Sequence, residues 1–369
     1  MGNAGLSDSA GAVFAALAAA GQGTRPQLAL ACGLSKPTVS VAVTELERAG
    51  LVERSGTAHG ATGRSAAVYR LGSRAGYVLG VDRGSTQVAV RAEGLDGELL
   101  GEDRTTRPAS AGEMIQAALR RRVRSGPLRA VVVAVSDVVS PPGGGDPVTV
   151  ARVRDTVAAL GLPARAAVDT ENNVNCAAIA ELREGAGTDR DSFVFLQVGM
   201  AIGAAVVIGR RLVRGVHGAA GEVARLAYPW ADDVPAGHEA LEARLGSVGL
   251  LHRARARWPD GPGAAPKTAA ALFALAGKNH PAAVEIVDEH AGEVGKLAAS
   301  ITALLDPGLV VLGGGVGRNP LLLPGVVRTV GALSWPVDVV VSELGERATV
   351  VGAAHLAREK GIRAVLAEP

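Results

Sequence analysis

Two stretches of this sequence bring together residue types able to do chemistry with phosphates and bases. Ser35, Lys36, Thr38, Ser40 and Thr44 recur within residues 33–52. Short hydroxyls beside a basic residue at a helix N-terminus can approach phosphates and base edges without filling a major groove. Residues 79–86 read Leu-Gly-Val-Asp-Arg-Gly-Ser-Thr. The backbone N–H groups and hydroxyls of such a turn can approach phosphate, with the Asp82 carboxylate available to a metal ion. Taken alone, an ordinary β-hairpin is the simpler reading of that second turn.

The first stretch requires a helix to present it. A Gly33 turn, Ser35 as N-cap, Pro37 near the first turn and Gly50 after Ala49 delimit one, with Val39, Val43 and Leu46 at inward spacing. Residues 10–20 and 25–32 predict two preceding helices, and residues 51–54 and 66–71 two following strands joined through 55–65. Three helices and two strands in this order predict a winged helix-turn-helix whose third helix reads double-stranded DNA. His59 and Arg64 on the wing are then placed to reach a minor groove or phosphates. Residues 1–75 hold 7 Lys and Arg against 4 Asp and Glu, while the remainder holds 31 against 32. The positive balance lies where that partner needs it. A small helical domain that binds protein or merely packs is the bland alternative.

With 369 residues the chain has room for a small domain and a larger body of more than one lobe. Aromatic residues are only 3% while hydrophobic ones are 48%, so the core is expected to be aliphatic. No apolar run approaches the ~18 residues of a membrane span, and no basic-then-apolar leader opens the sequence, so a soluble cytoplasmic protein without membrane contact is expected. Cys32 and Cys176 are too far apart in sequence to suggest a disulfide framework or clustered metal site. Beyond Tyr77, β-branched runs at 78–82, 87–92, 131–135, 166–169, 193–198, 204–208 and 309–312 alternate with helical stretches at 113–122, 150–160, 174–184 and 292–304. That pattern predicts an α/β body. The arginines at 120–124 and the run at 252–257 read as solvated surface.

Four segments occur in a recognisable order: Asp82-Arg83-Gly84-Ser85-Thr86, residues 171–178 (Glu-Asn-Asn-Val-Asn-Cys-Ala-Ala), residues 215–222 (Gly-Val-His-Gly-Ala-Ala-Gly-Glu) and residues 311–316 (Val-Leu-Gly-Gly-Gly-Val). In these the chain resembles the ROK family of repressors and sugar kinases over nearly its whole length, the winged domain matching the repressor branch. The resemblance implies an α/β fold: an N-terminal winged helix-turn-helix at 1–73, followed by a two-lobed actin-like ATPase (ribonuclease H-like) body. Its first lobe would be 78–176 with 350–369, and its second, carrying oligomerisation elements, 177–349. It implies a nucleotide-binding relic at Asp82, Gly84, Thr86, Gly199, Gly313 and Gly314. It implies a ligand site at Asn172, Asn173, Glu222, Arg225 and Glu242 for a sugar, sugar phosphate or other small molecule. A homodimer or homotetramer reading an inverted-repeat operator follows from the same likeness.

The chain departs from the family pattern where the chemistry lies. Asn173 stands where the kinases carry the Asp that accepts the hydroxyl proton during phosphoryl transfer, and an amide has no basic lone pair at neutral pH. Residues 199–203 read Gly-Met-Ala-Ile-Gly where the kinases resemble Gly-Thr-Gly-Ile-Gly, so a hydroxyl is lost and a methyl added beside the phosphates. Arg225 replaces the family's His and residues 227–240 contain no Cys, so no zinc is expected. The loop carrying a further Asn contact is shortened to residues 141–145. Asn172, Asn173 and Glu222 have two readings, ligand contact or satisfaction of backbone groups, and Arg225 has a third, pairing with Glu222 or Asp232. The expectation is a DNA-binding regulator, most simply a repressor, whose body is catalytically inactive and needs no cofactor or metal. A bifunctional ATP-dependent sugar kinase that also binds DNA, relaying the proton through water, Asp169 or Glu171, and a ligand-independent regulator are the alternatives.

Overall fold

The computed structural model describes residues 5–59, 65–84, 87–107, 110–122, 125–163, 166–226, 240–259 and 264–367. The chain divides into two compact units, Met1–Asp137 with Val148–Asn173 and Ala353–Pro369, and Val138–Pro147 with Val174–Gly352.

The first unit opens with α1 (Asp8–Ala20), β1 (Gln22–Thr24), α2 (Arg25–Cys32), α3 (Lys36–Ala49), β2 (Val52–His59) and β3 (Ser65–Leu71). Local chemistry sets these boundaries. Ser7 caps α1 by accepting from Ala10 N at 3.2 Å, and its hydroxyl donates to Glu45 of α3 at 2.7 Å, so one side chain starts one helix and ties it to another. Thr24 and Gln27 form a capping box on α2. Gly33, at φ 64°, ends α2 in the left-handed region and makes the turn into α3. Val13, Phe14 and Leu17 of α1 and Val39, Val43 and Leu46 of α3 are fully buried, supplying the small domain's core. Its sheet has order β1-β3-β2 and is antiparallel throughout. β2 continues to His59, with an irregularity between Arg54 and Gly56, instead of ending at 54. Its exposed Ser, Gly and Thr residues hide the strand from a hydrophobicity pattern.

The body consists of two sheets of the same topology. In the first unit β4 (Tyr77–Arg83), β5 (Val88–Gly94) and β6 (Leu99–Thr105) form an antiparallel meander, and α4 (Ala111–Arg121) leads to β7 (Leu128–Val135), then α5 (Pro147–Ala158) to β8 (Ala167–Asn172). The order is β6-β5-β4-β7-β8, with β4, β7 and β8 parallel. After α6 (Asn173–Glu184), the second unit repeats this with β9 (Phe193–Val198), β10 (Ile202–Ile208) and β11 (Arg211–Val213). Helices α7 (Ala240–Leu245), α8 (Ser247–Ala256), α9 (Ala269–Ala276) and α10 (Pro281–Leu305) precede β12 (Leu309–Gly313). The chain ends through α11 (Gly314–Gly317), α12 (Leu323–Leu333), β13 (Asp338–Val341) and α13 (Ala348–Ala367). This second order, β11-β10-β9-β12-β13, is the same arrangement of a meander beside two parallel strands. The fully buried valines and leucines of β7, β9 and β12 form the aliphatic interior expected from composition.

Within the first unit the winged domain and the sheet are joined by backbone. Tyr77 N donates to Pro127 O at 3.0 Å, and the Arg129 guanidinium donates to the carbonyls of Ala75 at 2.9 Å and Arg74 at 2.7 Å. Gly76, at φ 85°, passes so close that a Cβ would lie 2.2 Å from Pro127 O. At the C-terminal end, Leu366 of α13 reaches within 3.3 Å of where a Cβ on Gly11 of α1 would stand.

Several ionisable side chains are buried. Arg91 bridges Glu93 at 2.5 Å and Glu102 at 2.8 Å within the first sheet. In the second unit Arg244 of α7 forks onto Glu293 of α10 at 2.6 Å, and Arg253 of α8 donates to Arg244 O at 2.5 Å and to His290 Nδ1 at 3.0 Å. The run at 252–257 is therefore not all solvated surface: the Arg253 side chain is only 13% exposed, because its place on α8 faces α10. With Nδ1 accepting from Arg253, neutral His290 carries its proton on Nε2, which is buried without a hydrogen-bond partner. Burial, then the Arg253 and Arg244 charges, push the His290 pKa down to about 3. Burial raises Asp82 to about 7 despite the opposing charge of Arg104.

These two groups act on stability with opposite signs. Asp82 holds a proton in the fold that it has lost in the unfolded chain, so its contribution is full below about pH 4 and is lost as pH rises through about 7. His290 is neutral in the fold but protonates when unfolded, so its contribution is present above about pH 6.5 and is lost as pH falls toward 3. We predict that Asp82→Asn matches the parent below about pH 4 and melts progressively higher than it as pH rises, by at least ~2 °C at pH 8. Melting curves across pH check this, and equal melting points at pH 8 refute the buried-proton account.

Candidate functional site

The recognition-helix residues lie on α3 or at its cap, and the hydroxyls of Ser35, Thr38 and Thr44 make local hydrogen bonds. Ser35 Oγ accepts from Thr38 N at 3.3 Å and shares a 2.8 Å hydrogen bond with Thr38 Oγ1, so both serve the cap of α3. Thr44 Oγ1 donates to Ser40 O at 2.9 Å. Lys36 and Ser35 are exposed; Thr38, Ser40 and Thr44 are half-buried. α3 also keeps a contact the sequence did not advertise: Arg25 of α2 lies over the Tyr69 ring at 4.9 Å and 3.8 Å from Glu47, bracing α2 against α3 and β3. His59 ends β2, paired across from Ser65. Arg64 lies outside the described residues.

In the first unit Asp82 is the penultimate residue of β4, beside Ala89 of β5 and Ala134 of β7. A Cβ on Gly84 would lie 3.0 Å from Gln87 O and 3.6 Å from an Asp82 carboxylate oxygen, so the chain turns tightly over the carboxyl. Thr86 lies outside the described residues. The carboxyl, titrating near neutrality, is available as a ligand only in its ionised fraction unless a cation draws its proton off. Asn172 ends β8 and donates from Nδ2 to Asp137 O at 3.2 Å, while Asp137 pairs with Arg152 of α5 at 2.6 Å. Part of that amide is thus given to closing the end of β7. Asn173 is the first residue of α6 and half-buried.

In the second unit the glycine-rich segments come together. Gly313 pairs with Gln197 across the parallel strands β12 and β9, and Gly314, at φ 79°, comes so near that a Cβ would be 2.5 Å from Val198 O. Gly199 leaves β9 beside them, 3.7 Å from Gly315 N by the same measure. The segment 199–203 is held from its other side by Ser247 N on Gly199 O at 2.8 Å and by Ile202 N on a Glu242 carboxylate oxygen at 3.4 Å. Met200 is 52% exposed at the tip. This cradle lies at the C-terminal ends of parallel strands, where open α/β sheets bind ligands.

Glu222 begins the short turn 223–225, which packs on α7 and β10, and Ala204 N donates to Gly221 O at 2.9 Å. Glu222 and Glu242 are in this way both carried beside the start of β10. Arg225 is exposed. Arg244, two residues beyond Glu242 on α7 and locked on Glu293, helps to fix α7 and with it the Glu242 backbone. This support was not foreseen, because an Arg–Glu pair 49 residues apart leaves no local pattern. The shortened loop at 141–145 is tied at its start, where Ser140 Oγ donates to His217 O at 3.0 Å. Among the described residues no three His, Cys, Asp or Glu side chains gather closely enough to hold a metal ion, and Asp232 and His238 lie outside that set.

Comparisons with known proteins follow the same outline. A model of the MarR family matches residues 4–65, and the ROK family model matches residues 78–360. A glucokinase of Streptomyces coelicolor is 29% identical over 331 residues, covering 77% of this chain and 98% of that enzyme. A bifunctional NanE/NanK enzyme of Brucella melitensis is 32% identical over 202 residues, covering 54% of this chain. The chain spans only 36% of the length of that relative. Among solved structures, a ROK family transcriptional regulator, homologous to the E. coli MLC protein, superposes with a TM-score of 0.72 at 20% identity, covering 97% of this chain and 96% of its own. At that identity the likeness speaks for the fold, a winged helix-turn-helix followed by the paired sheets of an actin-like body. With the family model spanning most of the sequence and the two glycine-rich strand ends in register, this chain belongs to the ROK family, with a MarR-type winged domain ahead of its body.

Proposed function

We propose that this protein is a sequence-specific DNA-binding transcriptional regulator, a repressor, with a catalytically inactive ROK body that senses a small ligand and holds the protein as a homodimer or homotetramer. The observation that carries the reading is a capped, solvent-facing α3 joined through the Arg129 clamp to a body whose base position is Asn173. The functional domains on this reading are 1–73, 78–176 with 350–369, and 177–349. Ser35, Lys36, Thr38, Ser40 and Thr44 face a major groove, with His59 and Arg64 reaching phosphates or a minor groove from the wing. Paired winged domains read an inverted repeat whose half-sites are about 34–36 Å apart.

The ligand contacts proposed are Asn172, Asn173, Glu222, Arg225 and Glu242, for a sugar, sugar phosphate or related small molecule. Asp82, Gly84, Thr86, Gly199, Gly313 and Gly314 remain from a nucleotide site that no longer serves catalysis. Met200 and Ala201 support this, since neither offers the hydroxyl or the bare backbone that a phosphate cradle uses. The proposed setting is the cytoplasm, where operators are found; among the described residues no helix is long and apolar enough to cross a membrane. The clamp keeps the winged domain fixed on the first sheet, so a ligand acts by moving that assembly as a piece and changing the spacing of two recognition helices.

Selection of bound fragments from genomic DNA with the purified protein tests the reading: an enriched inverted repeat is expected, and no enrichment at low salt defeats it. On a recovered site, Lys36→Ala and Arg64→Ala should each weaken binding and lower the slope of log affinity against log salt by up to about one. An unchanged slope removes that residue from the phosphate contacts. A coupled ATP assay over hexoses and amino sugars should give no turnover, and turnover abolished by Asn173→Ala would establish the bifunctional kinase instead.

A further inference from the structure

We propose that Val41 is a specificity-determining residue that reads thymine, through its 5-methyl group, in the major groove; this rests on the DNA-binding reading above. At about 100° per residue, Pro37, Val41, Thr44 and Arg48 fall on the face of α3 opposite the buried Val39, Ala42, Val43 and Leu46. Val41 is 68% exposed at the middle of that face. It lies outside the buried face of α3, and a β-branched residue is a poor choice for an exposed helix position on helix propensity alone.

Its neighbours define what the face can recognise. Thr44 spends its hydroxyl hydrogen on Ser40 O, and the Ser35 and Thr38 hydroxyls share a hydrogen bond at the cap. Pro37 has no N–H to offer. The centre of the outward stripe is therefore a ridge of Pro37 and Val41 with Thr44 beside them, its hydroxyl hydrogen already spent, and the exposed cations Lys36 and Arg48 toward the two ends of the helix. A ridge without free donors cannot form the bidentate hydrogen bonds that select guanine or adenine. What it complements in the major groove is the one apolar group displayed there, the thymine methyl. The flanking cations fit phosphates on either side and position the ridge without selecting sequence.

The test uses the full-length protein and the inverted repeat enriched from a random DNA pool. Each thymine of the half-site is replaced by deoxyuridine, symmetrically in both half-sites, which removes only the methyl group. The parent should bind about threefold to fivefold more weakly per half-site at one or two of these positions, the effect of one buried methyl. Val41→Ala should bind thymine and deoxyuridine sites equally, and Val41→Thr, which keeps one methyl, should discriminate to an intermediate degree. Alanine suits an exposed helix position, so the variant should melt as the parent does. A parent indifferent to deoxyuridine everywhere, an enriched half-site without thymine, or a Val41→Ala protein that discriminates like the parent overturns the proposal. Failure to enrich any sequence is a separate outcome, which overturns the DNA-binding reading and this assignment with it.

Discussion

The interaction on which the rest of the first unit depends is the backbone junction at residues 72–77. A flexible linker would let the winged domain sample many orientations, with no means for the body to influence DNA. Here Gly76 passes so close to Pro127 that any side chain would collide, and Gly126 does the same against Ser73 O, where a Cβ would lie 1.9 Å away. Arg129 then takes two carbonyls of the connection with one guanidinium. Those carbonyls precede a strand and have no ladder partner of their own, so the fork satisfies them as well as fixing direction. The C-terminal helix adds a second point of support, with Leu366 against α1 and Arg358 3.6 Å from the buried Glu93 of β5.

The same economy governs α3. Its boundaries come from groups that cap it, its inner face from aliphatic side chains, and its anchoring from Ser7 on Glu45 and from the Arg25–Tyr69–Glu47 stack. Ser35 and Thr38 thus help to hold the helix, while Val41 stands exposed in the middle of its outward face. Rigidity and recognition are divided among different side chains of one helix, so loss of a cap and loss of a base contact should have different thermodynamic signatures.

Much of this was legible in the sequence. The helix-turn-helix was readable because Gly33, Ser35, Pro37 and Gly50 each act locally, through turn, cap or termination, over a few residues. The parallel strands β7, β9 and β12 were readable as unbroken β-branched runs, since both faces of a central strand are buried. β1, β11 and β13 were not, being three or four residues each and defined by the partner they pair with. β6 carries Gly, Glu, Asp and Arg at an edge and shows no run of apolar residues. Arg253 was misread because a charged residue looks solvated until the opposing Glu293 and His290 are known, and those are brought to it only by the packing of α8 on α10. Nothing local in the sequence brings Glu222 and Glu242 beside β10, since 20 residues and a turn separate them.

Asn173 bears on what such a body can be used for. A carboxylate at that place would let a bound sugar react whenever nucleotide arrived, and occupancy would then depend on turnover as well as on affinity. An amide can hold a hydroxyl by donating and accepting hydrogen bonds but cannot take its proton. On the proposed reading, a ligand held there would leave as it came, so that occupancy would follow its concentration at equilibrium. That is the property a sensor requires, because a ligand shifts a conformational balance only by its difference in affinity between the states. On the proposed reading, the twin sheets of the body supply the framework at no added cost in chain, and an amide in place of one carboxylate would change a site of reaction into a site of measurement.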